Sequence, residues 1–546
     1  MLIKKTSKLA LFLLGIVTTS LTSLPVKAAE KLFLSYGPLK FSVEVESLEI
    51  FAKDGTVNED LGQYLDLIPP EKRDKFRESL TKKVPLEPVL VSRFFNSEMG
   101  EQILLRLGKG ITLEGGENGG IALRGAIVQS AFDPDGLTLL NILKKYPTNL
   151  QIQGELIKGA VEEGDKIISA TENLVKEMRT WTAEEASNNP SVDYAKLPDI
   201  RKAGQYQVKK EVWQLTDTSR NRKFYVDVYV PQGVSRDKIP VIVFSHGLSS
   251  RPEDFADPLN HLASYGYVVA APQHIGSDII YLKEMFEGYH KNIFDRDEFI
   301  NRPKDISFVI DELERRNPTE FKGRLDLQNV GMAGHSFGGY TALAIAGATI
   351  DFDYLQKACE RPYGGLDVAI LLECRVLELP RQDYQFRDSR VTAVFAGNPV
   401  VRYIFGQTGI SKIDIPVLLA SGSDDPAAPP VFEQGMPFIW LNTPDKYWML
   451  AEGQAHVNFS KLDGGIKQAL DSTVHLTLPS QDLISSYVKG TSLAFFEVHL
   501  KNNQDFRKYL QSSYAQYLSE NQDFKLNFIT NASADKVKNS IEKFDN

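Results

Sequence analysis

Beyond its first residues the chain has no apolar run approaching the roughly 18 residues a membrane-spanning helix needs, so an integral span in the mature protein is not expected. Positive charge is not in excess: 62 Lys and Arg stand against 71 Asp and Glu, giving a net charge of −9. That balance argues against nucleic-acid binding, and against adsorption to anionic membranes through bulk charge. Residues 29–198 contain neither histidine nor cysteine, so no His/Cys metal cluster is expected there. There is no internal repeat and no low-complexity tract, and no organic cofactor or metal is implied anywhere. Cysteine is scarce, with Cys359 and Cys374 the only two.

What the first residues do contain is an export signal. Lys4, Lys5 and Lys8 precede the apolar run Leu9 to Val17, and Val26-Lys27-Ala28 places small residues for cleavage after Ala28. Residues 1–28 are read as a signal peptide, and the mature chain as periplasmic or secreted. At 546 residues the chain is too long for one ordinary core. Residues 29–198 read as a separate, largely helical α+β domain. It opens on alternating Leu39, Phe41, Val43 and Val45, continuing to Leu48 and Ile50, and holds helical stretches at Pro70 to Leu80 and Ala160 to Trp181. The Gly-rich run Leu113 to Gly120 matches no phosphate loop and reads as a flexible turn. The polar stretch Ala183 to Pro190 reads as a linker, residues 199–500 as a second domain, and residues 501–546 as a helical tail with a frayed end.

The most informative segment is Gly334-His335-Ser336-Phe337-Gly338, directly behind the apolar run Val330 to Ala333. A serine hydroxyl reaches a carbonyl from a sharp strand-to-helix turn that needs Gly on both sides, and Gly334 and Gly338 supply it. The following Gly339 to Ala346 is a small-residue helix former. An earlier buried run, Val241 to Ser245, ends in His246-Gly247-Leu248. The backbone N–H groups of Leu248 and Phe337 are the two expected donors to a developing oxyanion.

A serine nucleophile needs a base and an orienting carboxylate. Downstream of Ser336 stand His456, His475 and His499. His456 follows the strand-like Lys446 to Leu450 and a short loop, and is preferred. His475 lies in a short extended or loop stretch, and His499 in an amphipathic helix where packing is its expected role. For the acid, the strand Pro416 to Gly422 runs into Ser423-Asp424-Asp425-Pro426; Asp425 is preferred and Asp424 is the runner-up. The strand before it, Val391 to Gly397, ends in Asn398-Pro399 without a carboxylate. Pro272 to Asp278 precedes the nucleophile, which leaves His274 outside the triad. A helix is expected to begin at Pro303, with Ile306, Val309, Ile310 and Leu313 at helical spacing.

The pieces SHGL, GHSFGG, GSDDPAAP and GQAH together resemble the secreted esterase branch of the alpha/beta-hydrolase superfamily. That branch includes platelet-activating-factor acetylhydrolases, cutinase-like polyester hydrolases and dienelactone-hydrolase-like proteins. SHGL and GHSFGG are most similar to the acetylhydrolases. Those place the acid one strand earlier, where this chain has Asn398, whereas the Asp425 and His456 loops resemble the cutinase-like pattern. The resemblance spans about residues 207–499 and implies a mostly parallel sheet with helices on both faces. The N-terminal region resembles an uncharacterised domain found ahead of some bacterial alpha/beta-hydrolases.

The expected function is therefore a serine ester hydrolase built on Ser336, His456 and Asp425, acting on a small-molecule ester, by resemblance a lipid or acetyl ester. One alternative is a non-catalytic envelope-binding protein on a hydrolase scaffold. The other is a serine peptidase, disfavoured because no propeller-like repeat precedes the hydrolase. Outside the cytosol Cys359 and Cys374 are a candidate disulfide, stapling a cap-like insertion at 348–390.

Overall fold

The computed structural model describes residues 28–66, 69–235, 237–361, 369–456 and 479–544. The described chain divides into two compact units, one of residues 28–96 and 104–158, the other of residues 97–103 and 159–544.

The first unit holds a four-stranded sheet in the order β2-β1-β4-β3, with β1 Lys31–Tyr36, β2 Leu39–Glu44, β3 Ile111–Leu113 and β4 Leu150–Gln153. β1 and β2 form an antiparallel hairpin around Gly37, whose φ of 55° suits a residue without Cβ. Helices supply the rest of its core, through Leu48, Phe51, Leu61, Leu104, Leu123 and Ala126.

The second unit is built on a nine-stranded sheet in the order β13-β12-β11-β10-β9-β7-β8-β6-β5. Its strands are β5 Val208–Asp217, β6 Arg222–Pro231, β7 Ile239–Ser245, β8 Val268–Pro272, β9 Leu325–His335, β10 Val391–Gly397, β11 Val417–Gly422, β12 Lys446–Ala451 and β13 Leu526–Thr530. From β8 through β12 all neighbours are parallel, while β5, β6 and β13 run antiparallel at the two edges. Residues of β7, β8, β11 and β12 are buried throughout, as parallel strands covered on both faces must be. Successive side chains serve opposite cores: Val241, Val243, Met332 and Leu419 on one face, Ile242, Phe244, Ala333 and Leu418 on the other. The chain order reverses between β7 and β9, and open sheets of this kind place their ligand crevice at the carboxyl ends of such strands.

Four expectations are corrected. The boundary near 198 is displaced because residues 154–188 form one uninterrupted helix, Gly154–Asn188, and its later part buries Ala170, Leu174, Met178 and Trp181 in the core of the second unit. Residues 183–188 are therefore helix and not linker, and Glu185 is buried, accepting from Ser533 and from the Thr530 backbone. The segment 501–546 is not merely a helical tail: Leu526–Thr530 closes the sheet against β12 and buries Phe528 and Ile529. The helix expected at Pro303 begins at Glu298, with the proline inside it. A proline nitrogen cannot donate to the carbonyl four residues back, and the freed Phe299 oxygen instead accepts the buried Tyr340 hydroxyl at 2.8 Å. Tyr340 lies on the helix that follows Ser336, so the break ties two helices together.

Candidate active site

Ser336 is the turn between β9 and the helix Phe337–Ile345, and it adopts φ 57° and ψ −117°, a region costly for a residue with a Cβ. The turn is over-determined by its neighbours. Ser336 N–H donates to the Gly397 oxygen at 2.8 Å. A Cβ on Gly334 would lie 2.0 Å from the Gly338 oxygen, and one on Gly338 would lie 1.9 Å from the Ser245 oxygen. Only glycines let the helix start this close to β7 and β9.

Ser336, His456 and Asp425 form a hydrogen-bonded chain. His456 Nε2 is 2.7 Å from Ser336 Oγ, and His456 Nδ1 is 2.7 Å from Asp425 Oδ2. Asp425 is buried, and its Oδ1 accepts from the N–H groups of Ala427 and Ala428 at 2.9 and 2.8 Å. The amide of Asn398 donates to Oδ2. Asn398 thus stands where the acetylhydrolase-type acid would be and serves Asp425 instead. Asp424 is exposed, and its carboxylate accepts from Ser423 Oγ at 2.7 Å. The structure brings Asp425, and not Asp424, to His456.

The acid and histidine loops are laced together. Asp424 N–H donates to the Gln454 oxygen at 3.0 Å, and Gly453 N–H to Ser423 Oγ at 2.8 Å. Below them Glu452 receives both Arg179 Nε, at 2.6 Å, and the Asn527 amide, at 2.9 Å. His335 completes the support: its Nε2 donates to the His456 carbonyl oxygen at 3.0 Å, which fixes the neutral tautomer with the proton on Nε2. Burial, with the neighbouring His456, pulls the His335 imidazolium down from the usual 6.5 to about 3.

The loop after β7 passes beside the elbow. A Cβ on Gly247 would sit 3.3 Å from both Ser336 Cβ and His335 Nδ1, so Leu248 follows immediately next to the serine. Phe337 is the first residue of its helix, where N–H groups have no intrahelical acceptor. Behind this loop lies a buried ionic cluster. His274 bonds Ser245 Oγ through Nε2 at 2.9 Å and Asp305 through Nδ1 at 3.1 Å, far from any role as base. Arg222 grips Asp305 with two nitrogens at 3.1 and 2.9 Å and reaches Glu298 at 2.9 Å. Burial and the nearby Arg302 charge hold His246 and His274 well below the usual imidazole range, so both are neutral.

Of the remaining expectations, His499 packs on the sheet and meets the Tyr447 hydroxyl at 3.2 Å. His475 lies outside the described residues, as does residues 1–27 of the signal segment. Cys359 and Cys374 are joined as a disulfide, with Cα atoms 5.9 Å apart. Among the described residues no group of three His, Cys, Asp or Glu side chains is arranged to hold a metal ion, and no helix is long and apolar enough to cross a membrane. Sequence reasoning missed His335, Asn398 and the ionic cluster. His335 sat in view as the variable position of the elbow, whereas the charged residues are scattered over 222–305 without a motif.

Residues 28–153 match the family described as alpha/beta hydrolase of unknown function (DUF1400). Most of the first unit lies in that match. Residues 197–377 match the chlorophyllase family. A curated relative, chlorophyllase-1 of Arabidopsis thaliana, is 32% identical over 115 residues, which is 20% of this chain and 31% of that protein. The chain therefore spans about a third of the length of that relative. With the mixed nine-stranded sheet, the strained serine between β9 and its helix, and these matches, the second unit has the alpha/beta-hydrolase fold.

Proposed function

We propose that the chain is a serine carboxylic-ester hydrolase. The observation that carries this is the continuous hydrogen-bonded chain from Ser336 Oγ through His456 to Asp425, with Ser336 held in a strained elbow. Ser336 attacks the ester carbonyl as His456 Nε2 takes its proton, and the N–H groups of Leu248 and Phe337 receive the developing oxyanion. Asp425 holds the Nδ1–H tautomer and stabilises the imidazolium. His456 then protonates the leaving alcohol, and water attacks the acyl-enzyme with His456 again as base. Lipid esters and other small acyl or acetyl esters are the proposed substrates. The chlorophyllase matches add chlorophyll to the compounds worth testing. The N-terminal Lys4 to Ala28 segment supports export to the periplasm or beyond.

The test is labelling with a fluorophosphonate, followed by a panel of p-nitrophenyl esters from acetate to palmitate and chlorophyll. Wild type should label at Ser336 and show a chain-length optimum, and Ser336→Ala should lose both while keeping its fold. Wild-type turnover in Ser336→Ala would overturn the assignment.

A further inference from the structure

The elbow explains the Phe337 donor, but nothing in the reaction described so far explains what aims the Leu248 N–H. Gly247 O and Leu248 N–H are opposite ends of one trans peptide unit, so whatever holds that oxygen on one side turns the N–H to the other. Two groups hold it. His246 Nδ1 donates to Gly247 O at 2.8 Å, and Arg302 Nη2 donates to it at 3.3 Å, while Arg302 Nη1 donates to the preceding carbonyl, that of His246, at 2.5 Å. The guanidinium also lies 4.3 Å from the ring centroid of Phe337, the residue that carries the other oxyanion donor. Arg302 therefore touches both halves of the expected oxyanion hole from behind.

Its placement is rigid. Arg302 is fully buried, and its Nε and Nη2 both donate to Ser277 Oγ, at 3.0 and 2.8 Å, which in turn donates to Glu298 at 2.8 Å. Glu298 is one helical turn away, 3.8 Å from Arg302, and is shared with Arg222. Burial pulls the arginine down to about 10, which leaves it cationic at neutral pH. A buried charge of this kind is expensive unless its partners are placed well, and replacing such clusters with apolar residues is often neutral or stabilising. An ionic cluster that ends on two carbonyls beside the nucleophile is better understood as a device for orientation.

We propose that Arg302, backed by Glu298 and Ser277 and aided by His246, is the positioning residue of the oxyanion hole, fixing the peptide that presents the Leu248 N–H to the substrate. The proposal rests on the serine-hydrolase reading. Arg302→Lys keeps the charge but loses the planar fork that spans both carbonyls. It should lower kcat about 100-fold, as loss of one oxyanion donor does, with KM within about threefold of wild type. A second readout isolates the hole itself. Sulfur accepts hydrogen bonds more weakly than oxygen, so an intact hole favours an ester over the matching thionoester, and the variant should lose most of that preference. A merely structural defect would slow both substrates alike.

Since a buried arginine variant can fail to fold, His246→Gln is made in parallel. It leaves every arginine–carboxylate contact in place and should shift the ester-to-thionoester ratio in the same direction, by less. Amide hydrogen exchange and the 15N shift of Leu248 in Arg302→Lys decide the positioning claim without any turnover. If wild type shows no Ser336-dependent hydrolysis, the esterase reading fails, and an altered Leu248 amide would still uphold the positioning. An unchanged ester-to-thionoester ratio in both variants, or an unchanged Leu248 amide in Arg302→Lys, would overturn the proposal.

Discussion

Replacing Asp425 with asparagine removes one charge with almost no change of shape, and so isolates the carboxylate proposed to orient His456. In the native protein Asp425 Oδ2 accepts from His456 Nδ1 at 2.7 Å and from the Asn398 amide, while Oδ1 accepts two backbone N–H groups at 2.9 and 2.8 Å. Asparagine offers one oxygen for all of these donors. The backbone pair claims it, because Ala427 and Ala428 are fixed by the turn, and the new NH2 then faces His456 Nδ1. An NH2 can only donate, so Nδ1 becomes the acceptor and the imidazole proton moves to Nε2. In that tautomer Nε2 cannot take the proton of Ser336. The same exchange in the best-studied triad costs about 10⁴ in kcat, or roughly 5 kcal/mol of transition-state stabilisation.

Asp424 provides the internal control. It is exposed and its carboxylate accepts from Ser423 Oγ. An interaction of that kind is worth at most about 1 kcal/mol, so Asp424→Asn should change kcat by less than about fivefold. The assay is kcat on a p-nitrophenyl ester, with melting temperatures to show that both variants fold. A fall smaller than about tenfold in Asp425→Asn, or an equal fall in Asp424→Asn, would refute the reasoning.

Three further outcomes are expected. His335→Gln should flatten the acid side of the stability profile: the folded imidazolium titrates near 3 and the unfolded one near 6.5. In that window the unfolded state binds the extra proton, so stability rises with pH and is lost as pH falls from about 6.5 towards 3, by roughly 1.4 kcal/mol per pH unit. Denaturant titrations at several pH values check this, and an unchanged slope in the variant would count against it. Gly338→Ala should cost about 3 kcal/mol or more and at least 100-fold in activity, since its Cβ would meet the Ser245 oxygen at 1.9 Å and push the helix outward; a melting temperature and kcat close to wild type would contradict the packing argument. Reducing Cys359–Cys374, whose positions are 15 apart, should release up to about 3 kcal/mol of local stability, seen as faster hydrogen exchange in the helix Phe352–Glu360 with the sheet strands unaffected. Uniformly faster exchange across the sheet would show the bridge to be a global element instead.

The nine-stranded unit was legible in the sequence because its signals are local. Val241 to Ser245, Val330 to Ala333 and Val417 to Gly422 read as buried strands from composition alone, and Gly334 and Gly338 announce an elbow because only glycine tolerates backbone approach within 2 Å of where a Cβ would sit. The order of Ser336, an acid loop and His456 along the chain followed from the same local cues.

Tertiary structure decided the rest. Asp424 and Asp425 are the same residue type; the sequence only ranked Asp425 first, and the direction of the loop relative to Asn398 and His456 is what separates them. His335 was visible as a residue but not as a support, since its partner is the backbone of a residue 121 positions away. The edge strand Leu526–Thr530 is too short to show alternation, and its strand character comes from pairing with β12. Arg302, Glu298, Asp305 and His274 carry no shared motif. Each would be prohibitively costly to bury alone, and what makes them viable is a mutual arrangement that exists only once the chain has folded.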